Sequence, residues 1–130
     1  MANGKKILVV DDDDSICELL KFVLEREGLA VVIARDGEEA LRMADAEMPD
    51  LILLDLMLPR YGGFEVLRQL QKPGTGKIPI IVFTGRYTDR STQELIRGES
   101  NVIDFVEKPL NTAALSTRIH SILKTSPPAR

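Results

Sequence analysis

The chain has no tryptophan, a single cysteine, a single histidine and only 5% aromatic residues. A surface that stacks single-stranded bases needs aromatic platforms, so that function class is disfavoured at once. Cys17 has no disulfide partner and no metal-ligand spacing around it, which excludes a disulfide scaffold and fits a reducing compartment. Long apolar runs are missing too: the longest, such as IPIIVF (78–83), suit a strand and fall far short of the roughly 20 residues needed to cross a bilayer. MANGKK is followed by only four apolar residues, too few for a signal-peptide core. No dense Lys/Arg cluster occurs, and 17 basic against 20 acidic residues leave a net charge of −3. Unaided binding to nucleic acid or to an anionic membrane is therefore not expected, because both need a clustered positive face. These absences together predict a cytoplasmic protein.

What is present suits one soluble domain: 130 residues, 44% hydrophobic and 28% charged, enough to bury a core and too few for a second domain. Apolar runs recur as ILVV (7–10), VVIA (31–34), LILL (51–54), IPIIVF (78–83) and, more weakly, IDFV (103–106). Runs that are apolar at every position predict strands buried on both faces, the mark of a parallel sheet. Between them, Ile16, Leu19, Leu20, Val23 and Leu24 follow helical spacing up to Gly28, which stops the helix. Asp36 and Gly37 open a second helix that closes before Pro49, a third runs from about Gly63 to Pro73, and a fourth spans roughly 89–97. A fifth starts after Asn111 or Thr112 and precedes the Pro-broken ending TSPPAR. Strands alternating with helices require right-handed crossovers, so the fold class is α/β, a doubly wound five-stranded parallel sheet with five helices. Residues 126–130 read as a flexible tail behind a domain of 1–125.

In such folds the site lies at the carboxyl ends of the strands, where the winding reverses. Those ends carry Asp11 and Asp12, then Asp55, then Thr84 and Gly85, then Lys108 and Pro109. Any one of them alone is more often a plain strand terminus than a catalytic group. Their joint occurrence is the signal. Crowded carboxylates raise one another's pKa unless a cation neutralises them, and an oxygen-only set favours Mg²⁺. Asp55 behind LILL has an anchored backbone and a presented carboxylate, as an acyl-phosphate-forming nucleophile needs, while Lys108 offers a point charge and Thr84 a hydroxyl donor. The neighbouring acids have plainer readings. Asp14 or Ser15 is the expected helix N-cap, with Ser15 and Glu18 as a capping box, and Asp13 is expected to be solvated at the helix's positive end. His120, remote from this rim, is assigned no role.

At this point the chain resembles the receiver domain of two-component response regulators, a flavodoxin-like fold, over roughly residues 5–124. ILVVDD (7–12) resembles the first strand with its acidic pair; LILLDLMLPRYGG (51–63) resembles the phosphoacceptor strand and loop, with Pro59 and Gly63 at the family's offsets from Asp55. IVFTG (81–85) and DFVEKP (104–109) match the hydroxyl strand and the aromatic-x-x-Lys-Pro strand. The resemblance implies a phosphorylation-activated switch rather than an enzyme in the ordinary sense, with Asp55 accepting a phosphoryl group from a sensor histidine kinase or phosphotransfer protein. It also implies Mg²⁺ held by Asp12, Asp55 and the Met57 backbone carbonyl, and by Asp11 through water. Lys108 would pair with the phosphoryl oxygens beside a cis bond to Pro109. Thr84 and Phe105 would move together and change the face formed by the fourth helix, fifth strand and fifth helix, which would meet a downstream protein partner or a second phosphorylated copy.

Several positions depart from the family's pattern. Gly85 stands where Ala is common, Phe105 replaces the common Tyr, SNVID (100–104) replaces a GADD-like turn, and the interval from Thr84 to Lys108 is about two residues longer. Met57 and Arg86, two residues after Asp55 and Thr84, stand where the family tunes water's access to the acyl phosphate, and an apolar and a long side chain there are expected to slow dephosphorylation. Three other readings compete. One is a receiver fragment of a longer regulator or hybrid kinase. Another is an aspartate-nucleophile phosphatase, although Asp55-Leu56-Met57 lacks the second acid of its D-x-D motif. The last is a receiver-like module that works without phosphorylation.

Overall fold

The computed structural model describes residues 4–58, 62–84, 94, 98, 101–107 and 110–128. Five strands, β1 (Lys6–Val10), β2 (Ala30–Ala34), β3 (Leu51–Asp55), β4 (Ile80–Thr84) and β5 (Val102–Glu107), form one parallel sheet in the order β2-β1-β3-β4-β5. Helices α1 (Asp14–Arg26), α2 (Gly37–Glu47), α3 (Gly63–Leu70) and α4 (Thr112–Leu123) connect and cover it. Of the helix expected over 89–97, only Glu94 is among the described residues, and it is helical. This is the doubly wound architecture predicted from the alternating pattern.

Successive strand residues point to opposite faces of a sheet, so the core divides into two layers. Leu8, Val10, Ile52, Leu54, Ile80 and Val82 pack under Ala40 and Ala44 of α2 and Val66, Leu67 and Leu70 of α3. Ile7, Val9, Leu51, Leu53, Ile81 and Phe83 pack under Cys17, Leu20 and Leu24 of α1 and Leu115 and Ile119 of α4. Each fully buried Val, Leu, Ile or Phe side chain among these is worth about 1.5–3 kcal/mol. The expectation of strands buried on both faces holds for β3, where every residue is buried, but VVIA belongs to edge strand β2 and is mostly half-buried. Lacking a neighbour on one side, an edge strand is covered less completely than its sequence suggests. Strand β5, on the other edge, pairs with β4 through a register shift: Val102 lies opposite Ile80 and Asp104 opposite Ile81, so Ile103 is an inserted residue, a β-bulge.

Two helix starts frame the rim. The N-cap of α1 is Asp13, whose Oδ1 accepts from the Ser15 N–H at 2.8 Å and the Ile16 N–H at 3.4 Å. This corrects the expectation of a cap at Asp14 or Ser15 with a Ser15/Glu18 box. The helix begins one residue earlier, and aspartate caps as well as serine does. At α3 the cap is Gly62 with no side-chain bond, and Gly63 follows as the first helical residue. A Cβ on Gly63 would stand 2.6 Å from Leu56 Cα and 2.8 Å from Leu56 O, so glycine is what lets α3 close onto the turn after β3.

Candidate functional site

Winding reverses between β1 and β3, and the sequence places an acid just past the end of one and at the end of the other. Val10 is opposite Leu54 in the ladder, so the next positions are Asp11 and Asp55. Asp11 extends β1 by donating its N–H to Ala34 O at 3.1 Å, while Asp12 follows it into solvent. The carboxylate oxygens of Asp11, Asp12 and Asp55 all lie within 4.8 Å of one another.

Asp11 is fully buried and Asp55 is 3% exposed, which is costly for carboxylates unless they are hydrogen-bonded and neutralised. The backbone supplies part of this. Asp11 Oδ1 accepts the Asp13 N–H at 2.9 Å, and Asp55 Oδ1 accepts the Met57 N–H at 3.0 Å, two matching turns that orient the two inner carboxylates. Three clustered oxygen donors with one exposed member could hold a hard, partly hydrated divalent cation such as Mg²⁺. Behind Asp55, the Leu56 N–H donates to Phe83 O and the Gly63 N–H to Leu56 O, both at 2.9 Å, so the turn carrying Met57 is tied to β4 and to α3. Met57 itself is 53% exposed beside the acids.

Four consecutive aspartates thus have three different settings. Asp11 and Asp12 join Asp55, Asp13 caps α1, and exposed Asp14 accepts from Arg35 Nε at 2.7 Å. That bond and the charge of Asp14 push the Arg35 guanidinium upward. Beneath the site, the Cys17 thiol donates to Asp11 O at 3.2 Å; burial first, then the charge of Asp11, pushes it up to about 11. The sequence shows Cys17 only as a lone thiol without disulfide partner or metal-ligand spacing, and a bond from thiol to backbone leaves no local pattern by which to find it.

Of the other predicted site residues, Phe105 is half-buried in β5 and packs against the layer that contains Leu8 and Val82. The backbone of Thr84 closes β4, opposite Glu107. The Thr84 side chain, Gly85, Arg86, Lys108, Pro109 and Pro59 lie outside the described residues. No helix among the described residues is long and apolar enough to cross a membrane.

Comparison with known proteins agrees with this geometry. A family model described as the response regulator receiver domain matches residues 7–120. The chain is 43% identical over 123 residues to the alkaline phosphatase synthesis transcriptional regulatory protein PhoP of Bacillus subtilis, covering 95% of this chain and 50% of that protein. It is 40% identical over 121 residues to the transcriptional regulatory protein CpxR of Escherichia coli, covering 93% and 50%. The chain therefore spans about half the length of the curated relatives it matches. Among solved structures, a CheY-like response regulator receiver domain protein from Methanospirillum hungatei superposes with a TM-score of 0.84 at 32% identity, covering 92% of this chain and 94% of that one.

Proposed function

This chain belongs to the response regulator receiver domain family, and from that membership we propose a phosphorylation-activated switch in which Asp55 takes a phosphoryl group from a phosphohistidine. The family's members are signalling domains of two-component systems and not ordinary enzymes. The observation that carries the reading is the convergence of Asp11, Asp12 and Asp55 at the point where the sheet reverses.

In the proposed step, an Asp55 carboxylate oxygen attacks phosphorus as the phosphorus–nitrogen bond of the donor imidazole breaks. The bonding pair leaves with the ring nitrogen, and an acyl phosphate remains on Asp55. Asp11, Asp12, Asp55 and the Met57 backbone carbonyl would hold Mg²⁺. The ion supplies positive charge that offsets the carboxylates and the incoming phosphoryl oxygens. Asp11 and Asp55, held by the Asp13 and Met57 N–H groups, keep their orientation while the charge changes. Lys108 would pair with the phosphoryl group and Thr84 would donate to one of its oxygens. With Phe105 turning in behind Thr84, the surface formed by the segment 89–97, β5 and α4 would change its shape for a downstream partner or a second copy. Met57 and Arg86 would crowd the path of hydrolytic water and lengthen the phosphorylated state. A sensor histidine kinase or phosphotransfer protein is the donor in this reading, in the cytoplasm, with residues 1–125 as the switching unit.

A second reading, the receiver part of a longer regulator or hybrid kinase, is favoured by the half-length span of the relatives. It leaves the chemistry at Asp55 unchanged and alters only what the switched face contacts. The test is incubation with Mg²⁺ and acetyl phosphate or beryllofluoride, read by mass and by NMR at Asp55. A metal-dependent change that Asp55→Asn abolishes is expected. No response with Mg²⁺ present overturns the switch.

A further inference from the structure

His120, to which the sequence assigns nothing, is bonded at both ring nitrogens while its side chain is only 8% exposed. Nε2 lies 2.8 Å from Glu27 Oε1, and Nδ1 lies 2.7 Å from Thr125 Oγ1. Glu27 is the C-cap of α1, His120 sits in the last turn of α4, and Thr125 belongs to the segment that leaves α4. One side chain therefore joins three pieces of backbone.

Such a bridge is a poor way to gain stability, since a pair of packed apolar side chains would serve as well without the desolvation cost. What it supplies is direction. Lys124 takes the left-handed conformation with φ 58°, which reverses the chain, and the Thr125 N–H donates to His120 O at 3.0 Å. Pro127 then borders the same groove as Val23 and Glu27 of the α1 side and Thr112, Ser116 and His120 of α4. Three pieces of chain line this open groove, and the third is the departing chain itself.

We propose that Glu27, His120 and Thr125 form a latch that holds residues 125–128 along the groove between α1 and α4. The latch fixes the path by which the chain leaves the domain and shields Val23, where the sequence alone suggests a flexible tail from residue 126. This segment is the third wall of the groove, so release of the latch opens the groove toward Val23. The latch is independent of phosphorylation chemistry and stands or falls without it.

The test uses Thr125→Val, which removes the tail's hydroxyl and leaves the Glu27–His120 pair in place, with His120→Ala as the harsher variant. In the unaltered protein the Thr125 amide is expected to be protected from hydrogen exchange, and Thr125→Val to lower that protection by about tenfold, the worth of one net hydrogen bond. A Val23→Cys reporter in a Cys17→Ala background should then be alkylated several-fold faster once Thr125→Val is added, with an unchanged far-ultraviolet circular dichroism spectrum. An unprotected Thr125 amide in the starting protein, or equal protection and alkylation with and without the Thr125 hydroxyl, overturns the latch. If His120→Ala fails to fold, Thr125→Val still decides the matter.

Discussion

Replacing Gly63 by alanine adds one methyl group where the backbone leaves no room. The new Cβ would meet Leu56 Cα at 2.6 Å, about 0.8 Å inside the 3.4 Å at which ordinary contact begins. Leu56 cannot retreat cheaply, because its N–H is bonded to Phe83 O at 2.9 Å and its carbonyl accepts from Gly63 itself. The helix must therefore tilt away, with Val66, Leu67 and Leu70, all buried, moving with it. Overpacking of this kind costs about 1–3 kcal/mol, and a weakened Gly63-to-Leu56 bond adds about 0.5–1.5 kcal/mol. Alanine's better helix propensity returns at most about 1 kcal/mol. The net loss is about 0.5–4.5 kcal/mol, or a fall in Tm of about 2–20 °C for a domain of this size. Urea unfolding followed by circular dichroism measures it as a lower midpoint at unchanged slope. Since the same turn carries Met57, whose N–H holds Asp55, Mg²⁺ affinity should fall alongside stability. A Gly63→Ala protein as stable as its parent would refute the close approach of α3 to Leu56.

Other outcomes follow from the same geometry. Mg²⁺ should raise Tm, by a stabilisation of about 2.7 kcal/mol at a hundredfold excess over Kd; Asp12→Ala should remove most of that gain in a thermal scan. Asp13→Ala should keep the magnesium response while losing about 1 kcal/mol from the α1 cap, and an equal loss of metal binding in both variants would show the acids to be wrongly sorted. Met57→Asn should speed decay of the phosphorylated state, measured by loss of labelled phosphate, and a rate no faster than the parent's would remove Met57 from the hydrolytic path. The Cys17 thiol, pushed up to about 11 from an ordinary 9.0, favours the folded state fully below pH 9. That contribution should vanish as pH rises through 11, so urea midpoints should fall over this window and fall less in Cys17→Ala.

Fold class was readable because local pattern and global fold agree here: LILL ends in Asp55 where β3 ends, Asp36 caps the helix that it and Gly37 were expected to open, and Asn111, one of two expected starts with Thr112, caps α4. The acidic pair and Asp55 could be grouped from sequence because strand order in a doubly wound sheet places the ends of β1 and β3 side by side. What could not be read depends on distance or on geometry finer than periodicity. Glu27 and His120 are separated by 93 residues, and nothing near either marks the other. Ile103 as an inserted residue depends on strand pairing and not on its own neighbours. The choice of Asp13 over Asp14 or Ser15 as cap turned on a single residue of helix start, which five consecutive cap-forming side chains, Asp11 to Ser15, leave undetermined.

The paired turns at Asp11 and Asp55 also decide which substitutions make fair controls. Each carboxylate accepts, at Oδ1, from the backbone N–H two residues ahead. An asparagine side-chain oxygen can accept that same bond, so Asp→Asn subtracts charge while preserving the turn. Alanine subtracts both, and glutamate moves its oxygens one methylene farther from the donor. A difference between the asparagine and alanine variants at either position therefore measures the shape of the loop, separately from the electrostatics of the site.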